Sequence, residues 1–131
     1  MLDTTVLIAA ERSSAAIEEV IEDDDDVAIA AISAAELLVG VELADRSRRA
    51  RRRKFVEELL LSLPVEPYDL DTARIHAELL AHVRKEGRTR GAHDILIAAT
   101  GRARDRTVVT ADAAGFDGLP GVQVRVLADR G

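Results

Sequence analysis

The sequence contains no cysteine and only three aromatic residues, two Phe and one Tyr. Without cysteine there can be no disulfide framework, no thiolate-bound metal and no thiol nucleophile. With so few large rings, the core must be built from Leu, Ile, Val and Ala, which supply most of the 47% of residues that are hydrophobic. Such a core suits helices packed closely over a sheet.

Long apolar runs are also missing. No stretch approaches the roughly 18 residues needed to cross a bilayer, and the N-terminal residues lack the basic-then-apolar pattern of a secretion signal. The length of 131 residues suits one domain with its own core and is short for two. We therefore expect a single domain, residues 1–131, in a cytoplasmic protein.

The charge is acidic overall but unevenly distributed. The formal net charge is −6, which by itself speaks against a nucleic-acid partner, because phosphate binding normally needs a basic surface. However, seven acidic residues lie within residues 18–26 and seven basic ones within residues 46–54. Because a chain segregated in this way can attract polyanions at one place and repel them at another, the net charge does not exclude such a partner.

Strand-type and helix-type patterns alternate along the chain. A strand-like stub at residues 2–3 precedes the apolar run 6–10, and helical periodicity continues over residues 14–22. Further on, predicted strands at residues 27–32, 65–70, 107–110 and 122–126 alternate with predicted helices at residues 33–43, 48–62, 72–85 and 92–104. This alternation is typical of a mostly parallel sheet covered on both faces. We therefore predict an α/β fold with three α/β/α layers and a sheet of four to five strands.

Four carboxylates are expected where the strands end. Asp3 ends the first strand segment, and Glu36 lies one turn into the helix after the second. Asp94 begins the apolar helix, and Asp112 follows the strand at residues 107–110 by two residues. Ligands of open parallel sheets bind beyond the carboxyl ends of the strands. No serine–histidine or lysine arrangement competes for these positions, so the sequence predicts an acidic site there.

Each carboxylate also has a purely structural interpretation. Ser33 and Glu36 are spaced as a helix-capping box. Asp94, in a first helical turn, would offset the helix dipole, and Asp3 and Asp112 could cap a helix or a turn. Taken singly, these interpretations are the stronger ones. Taken together, the predicted fold gathers all four acids at one edge of the sheet, which favours a shared function.

Charge repulsion indicates what such a site would bind. Two carboxylates about 4 Å apart repel by roughly 4 kcal/mol at an effective dielectric constant near 20. Four of them cannot all stay ionised without a cation or without raised pKa values. Because ligands that are all oxygen suit Mg²⁺ or Mn²⁺ and not a structural zinc, the pattern favours a site for one of these two ions.

The residues around these acids resemble the four sequence blocks of PIN domains. The blocks are residues 2–8 (LDTTVLI), 32–37 (ISAAEL), 91–99 (GAHDILIAA) and 109–112 (VTAD). They occur in the family's order, with compatible spacing, from one end of the chain to the other. The small size and the segment 115–121 (GFDGLPG) resemble the VapC branch of the family, the toxin half of VapBC-type toxin–antitoxin pairs.

The resemblance implies a metal-dependent endoribonuclease that cleaves RNA with a metal-activated water. The family's acidic quartet maps onto Asp3, Glu36, Asp94 and Asp112, as both catalytic and metal-binding residues, with Mg²⁺ or Mn²⁺ as cofactor. It also implies a VapB-like antitoxin as partner and a homodimer. Thr5 stands where the family often has Asn or Ser. Because only two residues precede Asp3, either the first strand is abbreviated or the natural chain begins earlier.

Other polar residues near the quartet are weaker candidates. Thr5 and Thr110 either orient carboxylates as hydrogen-bond donors or are ordinary strand-end hydroxyls. His93 has a supporting or packing role, since neighbours on a helix point apart. Arg88 and Arg90, and the basic residues 46–54, either contact RNA phosphates or are simply solvated.

Two other functions fit parts of the pattern. A phosphatase of the haloacid dehalogenase type would use Asp3 as nucleophile, but it needs a second Asp two residues later, where Thr5 stands. It also needs a buried lysine, and the only lysines are Lys54 and Lys85. A degenerate PIN-like module would bind RNA or a partner without cleavage, and the intact quartet argues against it.

Overall fold

The computed structural model describes residues 1–12, 27–87 and 90–127, which contain five helices and four short strands. The helices are α1 (Thr4–Arg12), α2 (Ala31–Leu43), α3 (Arg46–Ser62), α4 (Leu70–Glu86) and α5 (Ala92–Ala103). The strands are β1 (Ile29–Ala30), β2 (Val65–Glu66), β3 (Val108–Thr110) and β4 (Val124–Val126), with a 3₁₀ turn at Ala113–Gly115. None of these described helices is long and apolar enough to span a membrane. The helix predicted at residues 14–22 lies outside the described residues.

The strands form a parallel sheet whose middle is the N-terminal segment. Leu2 pairs in parallel with Ile29 of β1 on one side and with Val109 of β3 on the other. The backbone N–H of Asp3 donates to the carbonyl of Val109 at 2.9 Å. Because β2 pairs with β1 and β4 pairs with β3, the order is β2, β1, residues 1–3, β3, β4. Residues 1–3 therefore hold the central position of this sheet.

Alternation of side chains along the strands builds two apolar cores. Successive strand residues point to opposite faces of a sheet. Leu2 and Val109 accordingly pack with apolar residues of α1, α2 and α3, whereas Met1 and Val108 pack with those of α4 and α5. Helices therefore cover both faces of the sheet, and all described strand pairings are parallel. The predicted three-layer α/β/α fold is confirmed.

The predicted elements are right in kind but wrong at their ends. Of the strand predicted at residues 27–32, only Ile29–Ala30 is a strand, because α2 already begins at Ala31. The strand predicted at residues 65–70 also ends early. Asp69 interrupts it by capping α4, where its Oδ1 accepts a hydrogen bond from the N–H of Thr72 at 3.0 Å. This helix therefore begins two residues earlier than predicted.

An ion-pair network fastens the end of α5 and the start of β3 to the β2–α4 connection. Nε of Arg104 lies 3.2 Å from Oε2 of Glu66, and its guanidinium also pairs with Asp69. Arg106 binds the other oxygen of Glu66 at 2.9 Å. Hydrogen bonds from Thr72 and from Arg104 lower the pKa of Asp69 to about 2. The ionised form of Asp69 is therefore stabilised in the folded state.

Replacement of Asp69 by Asn should lower the Tm at neutral pH, because Asn can still cap α4 but cannot form the ion pair with Arg104. The folded pKa lies below the ordinary Asp value of about 3.9. The stabilisation is therefore present above that value and is lost as the pH falls through about 2. Thermal melts of wild type and variant should converge over this interval.

The matched control for Asp69→Asn is Asp45→Asn. Asp45 caps α3 in the same way, with Oδ1 accepting from the N–H of Arg48 at 3.0 Å, but its ion pair with Arg48 is exposed and 4.0 Å long. Since exposed pairs contribute little, this variant should lose less stability. A Tm difference for Asp69→Asn that stays constant on acidification would contradict the assignment.

Candidate active site

Asp3 ends the central strand and is buried, with only 2% of the residue exposed. Its Oδ2 accepts hydrogen bonds from the hydroxyls of Thr5 at 2.8 Å and Thr110 at 2.7 Å. Its backbone carbonyl accepts from the N–H of Val6 at 3.1 Å, so the strand turns directly into α1. The two hydroxyls fix the carboxylate in one orientation. The orienting role of Thr5 and Thr110 is confirmed.

Asp112 lies at the end of the neighbouring strand and is exposed. Its N–H donates to the hydroxyl oxygen of Thr110 at 3.0 Å, and its Oδ1 accepts from the N–H of Ala114 at 3.1 Å. The turn-capping interpretation of Asp112 is therefore correct. Because the same hydroxyl of Thr110 contacts Asp3, one side chain connects the two acidic segments.

Asp94 lies in the first turn of α5 and is partly buried. Burial raises the pKa of Asp94, and the charges of Asp3 and Asp112 raise it further, whereas His93 opposes the shift. The charges of two predicted acids, Asp3 and Asp112, thus act on a third, Asp94, and the three belong to separate segments. The structure brings them together at the carboxyl edge of the sheet.

Glu36 reaches the same region from α2 and contacts His93. Its Oε1 lies 2.9 Å from Nδ1 of His93, but not in hydrogen-bonding geometry. Within the described part of the chain, this buried oxygen has no hydrogen-bond partner. His93 is therefore in contact with Glu36 and also opposes the rise in the pKa of Asp94. Sequence reasoning foresaw a supporting role for His93 but not this partner, because the contact joins two distant helices.

The capping-box interpretation of Glu36 is wrong. α2 begins at Ala31, and its N-cap, Ala30, provides no side-chain hydrogen bond. Ser33 is fully buried inside the first turn, and its hydroxyl has no hydrogen-bond partner among residues 1–12, 27–87 and 90–127. Capping therefore does not account for Glu36.

The side chain of Arg90 is buried and binds backbone carbonyls. Its side chain is only 4% exposed, and its guanidinium donates to the backbone carbonyls of Ala114, at 3.3 Å, and Asp117. The solvated interpretation of Arg90 is therefore wrong, and its contact with RNA stays a prediction. Arg88 lies outside the described residues.

The basic residues 46–54 form the first half of α3 and are mostly exposed. Arg52 pairs with Glu11 of α1 at 2.7 Å, and Arg53 pairs with Glu42 of α2 at 3.2 Å. These acids neutralise part of the positive charge. Contact of this run with RNA stays a prediction.

Known proteins match this chain over nearly its whole length. The PIN domain family model matches residues 1–121. A ribonuclease VapC of Rickettsia bellii is 28% identical over 125 residues, and the ribonuclease VapC5 of Mycobacterium tuberculosis is 34% identical over 126 residues. Each alignment covers 95% of this chain and 92% of the relative. The crystal structure of VapBC-5 from M. tuberculosis, a member of the VapBC family of toxin–antitoxin systems, matches with a TM-score of 0.77 at 32% identity over 96% of both chains.

Replacement of Asp94 by Asn should raise the Tm in EDTA at neutral pH. A carboxyl group whose pKa is raised by folding destabilises the native state when it is ionised. This cost is present above the raised pKa and disappears as the pH falls below the ordinary Asp value of about 3.9. Melts of the wild type and Asp94→Asn should therefore converge on acidification.

Asp117→Asn provides the control, since Asp117 is an exposed aspartate on the neighbouring turn, and its Tm should not change. A lower Tm for Asp94→Asn at neutral pH would mean that the favourable interaction of Asp94 with the helix dipole outweighs the repulsion among the acids.

Proposed function

We propose that this chain, which belongs to the PIN-domain family and to its VapC branch, is a metal-dependent endoribonuclease that acts as the toxin of a toxin–antitoxin pair. The observation that carries the proposal is the convergence of Asp3, Asp94 and Asp112 at the carboxyl edge of the sheet, where burial and the charges of Asp3 and Asp112 raise the pKa of Asp94. The family membership sets aside the phosphatase alternative.

The acids suit a divalent cation that keeps part of its water. Among the described residues, no three acidic or histidine side chains are arranged to enclose an ion by themselves. Mg²⁺, however, uses one or two carboxylates and retains several waters, so a complete protein cage is not needed. A cation would stabilise the buried Oε1 of Glu36, which has no hydrogen-bond partner among the described residues. It would also stabilise the carboxylate of Asp94, which lies near other acids.

We assign Asp3, Asp94 and Glu36 to the metal, directly or through water, and Asp112 to a water bridge or a second ion. When bound, Mg²⁺ or Mn²⁺ would lower the pKa of a water molecule and would stabilise the charge on the scissile phosphate. The hydroxyl groups of Thr5 and Thr110 hold the Asp3 carboxylate in place before the substrate arrives, so little reorganisation is needed.

We also propose a VapB-like antitoxin and a second copy of this chain as partners, in the cytoplasm. The similar VapBC-5 structure is from a family of toxin–antitoxin systems. Large apolar side chains such as Leu43 and Leu61 are 82% and 88% exposed, which leaves apolar area for protein contacts. An antitoxin arginine placed among the acids would offset their repulsion as a metal does, because its planar guanidinium can bond two carboxylates.

RNA cleavage in the presence of Mg²⁺, Mn²⁺ or EDTA tests the proposed activity. The wild type should cleave structured RNA only with metal and should not hydrolyse p-nitrophenyl phosphate. Asp3→Asn, Asp94→Asn and Glu36→Gln should lose cleavage. Metal should raise the Tm of the wild type by mass action and that of Asp94→Asn much less.

Glu42→Gln is the matched control for the cleavage assay, since Glu42 is an exposed acid on the same helix as Glu36, and it should cleave like the wild type. Metal-induced Tm shifts that are equal in all variants would place the ion elsewhere. A wild type that binds RNA without cutting it would favour the non-catalytic module.

Thr110→Val tests the support of Asp3 at nearly constant side-chain volume. Loss of the hydroxyl removes a hydrogen bond to a buried carboxylate, so we expect Mn²⁺ affinity to fall about 10- to 100-fold and stability to fall by about 1–3 kcal/mol. Thr100→Val is the control, because the buried hydroxyl of Thr100 donates to the carbonyl of Leu96 within α5 at 2.8 Å. An equal loss of Mn²⁺ affinity in both variants would deny Thr110 a specific role.

A further inference from the structure

The turn that follows β3 packs directly against the carboxylate of Asp94. A Cβ atom built on Gly115 would fall 2.5 Å from Oδ2 of Asp94, and one on Gly91 would fall 3.2 Å from the same atom. The first distance is well below van der Waals contact. The carboxylate therefore occupies the space that any side chain at position 115 would need.

The backbone of Gly115 does not itself require glycine. The described glycines with positive φ are Gly87, Gly118 and Gly121, and Gly115 is not among them. An L-residue at position 115 would thus meet no backbone strain of the left-handed kind. The need for glycine at this position arises from the close approach of Asp94.

Arg90 holds the same turn from its other side. Its buried guanidinium donates to the carbonyls of Ala114 and Asp117, which flank Gly115 in sequence. It also lies 3.9 Å from a carboxylate oxygen of Glu86 at the end of α4. Because a buried charge without partners is costly, Arg90 and the turn are held in a fixed relation to each other.

We propose that this turn, residues 113–117, positions the Asp94 carboxylate, with Gly115 leaving room for it and Arg90 fixing the turn. Both are positioning residues that need not touch metal or RNA. The turn also begins with the side-chain cap of Asp112, so it sets the spacing between Asp94 and Asp112. The functional consequence rests on the proposed function, in which Asp94 binds the metal.

A methyl group at position 115 should move the carboxylate and leave the fold intact. The clashing atom is the end of a flexible side chain, which can rotate away, whereas the backbones of α5 and of the turn are held by their hydrogen bonds. Gly115→Ala is therefore expected to change the position of Asp94 at little cost in Tm. The Tm of this variant therefore reports on stability, and the position of the Asp94 carboxylate reports separately on the geometry of the site.

The first test needs no metal. The side-chain carboxyl ¹³C resonance of Asp94, assigned by its absence in Asp94→Asn, should shift in Gly115→Ala in EDTA. Gly40→Ala is the matched control, since a Cβ there meets only the side chain of Arg52 at an ordinary 4.0 Å, and it should leave the resonance unchanged. An unshifted Asp94 resonance in Gly115→Ala would overturn the proposal.

The second test measures Mn²⁺ affinity from the metal-induced rise in Tm. Gly115→Ala should bind Mn²⁺ about 10- to 100-fold more weakly, and Gly40→Ala should bind it like the wild type. Wild-type affinity in Gly115→Ala would refute the functional role of the turn. If the wild type shows no metal-induced rise, the proposed function fails, while the carboxyl resonance still decides whether Gly115 positions Asp94.

Arg90→Met tests the outer support of the turn, with Arg102→Met as its control. Arg102 donates to the carbonyl of Pro120 at 3.3 Å and pairs with Glu78 at 2.9 Å, so it holds a later part of the same loop. Both variants should lose Tm, but only Arg90→Met should lose Mn²⁺ affinity, and Arg90→Lys should restore part of it. Removing the positive charge of Arg90 near the acids would by itself strengthen Mn²⁺ binding. A weaker Mn²⁺ affinity in Arg90→Met therefore shows that Arg90 acts by positioning the turn. Equal affinities in Arg90→Met and Arg102→Met would overturn the role of Arg90.

Discussion

The carboxylate of Asp3 is buried at the end of the central strand, and a buried charge is costly unless other groups satisfy it. Hydrogen bonds from Thr5 and Thr110 satisfy one of its oxygens. Burial raises the pKa of Asp94, and the nearby charges of Asp3 and Asp112 raise it further. The three acids thus share the carboxyl edge of the sheet, whose two faces are covered by the apolar cores.

Several arginines of this acidic protein connect segments of the fold. Arg104 joins α5 to Asp69 and Glu66, and Arg90 binds the turn beside Asp94 through backbone carbonyls. These arginines stabilise the fold through their own partners. They therefore leave in place the repulsion that acts on Asp94 at the sheet edge. In the proposed function, a divalent ion bound among these acids would remove a repulsion that folding created.

Much of the fold could be predicted because it depends on local patterns. Alternating strand-type and helix-type segments require a covered parallel sheet, and strand ends place Asp3 and Asp112 at the same edge. Boundaries were predicted less well. The hydrogen bond from Thr72 to Asp69 begins α4 earlier than the apolar pattern indicated, and α2 begins before Ser33, where a capping box was expected. Such ends depend on competition between caps and strand pairing, which the pattern of apolar residues does not encode.

The sequence by itself determined which residue types reach the site, because the alternation of strands and helices and the positions of the acids follow from periodicity and spacing. Only the tertiary structure decided which neighbours support them. The contact of His93 with Glu36, the burial of Arg90 and the packing of Gly115 against Asp94 each join segments that are remote in sequence. Such contacts depend on how helices and turns pack across the sheet. Packing between segments that are remote in sequence produces no periodic pattern of residues from which it could be predicted.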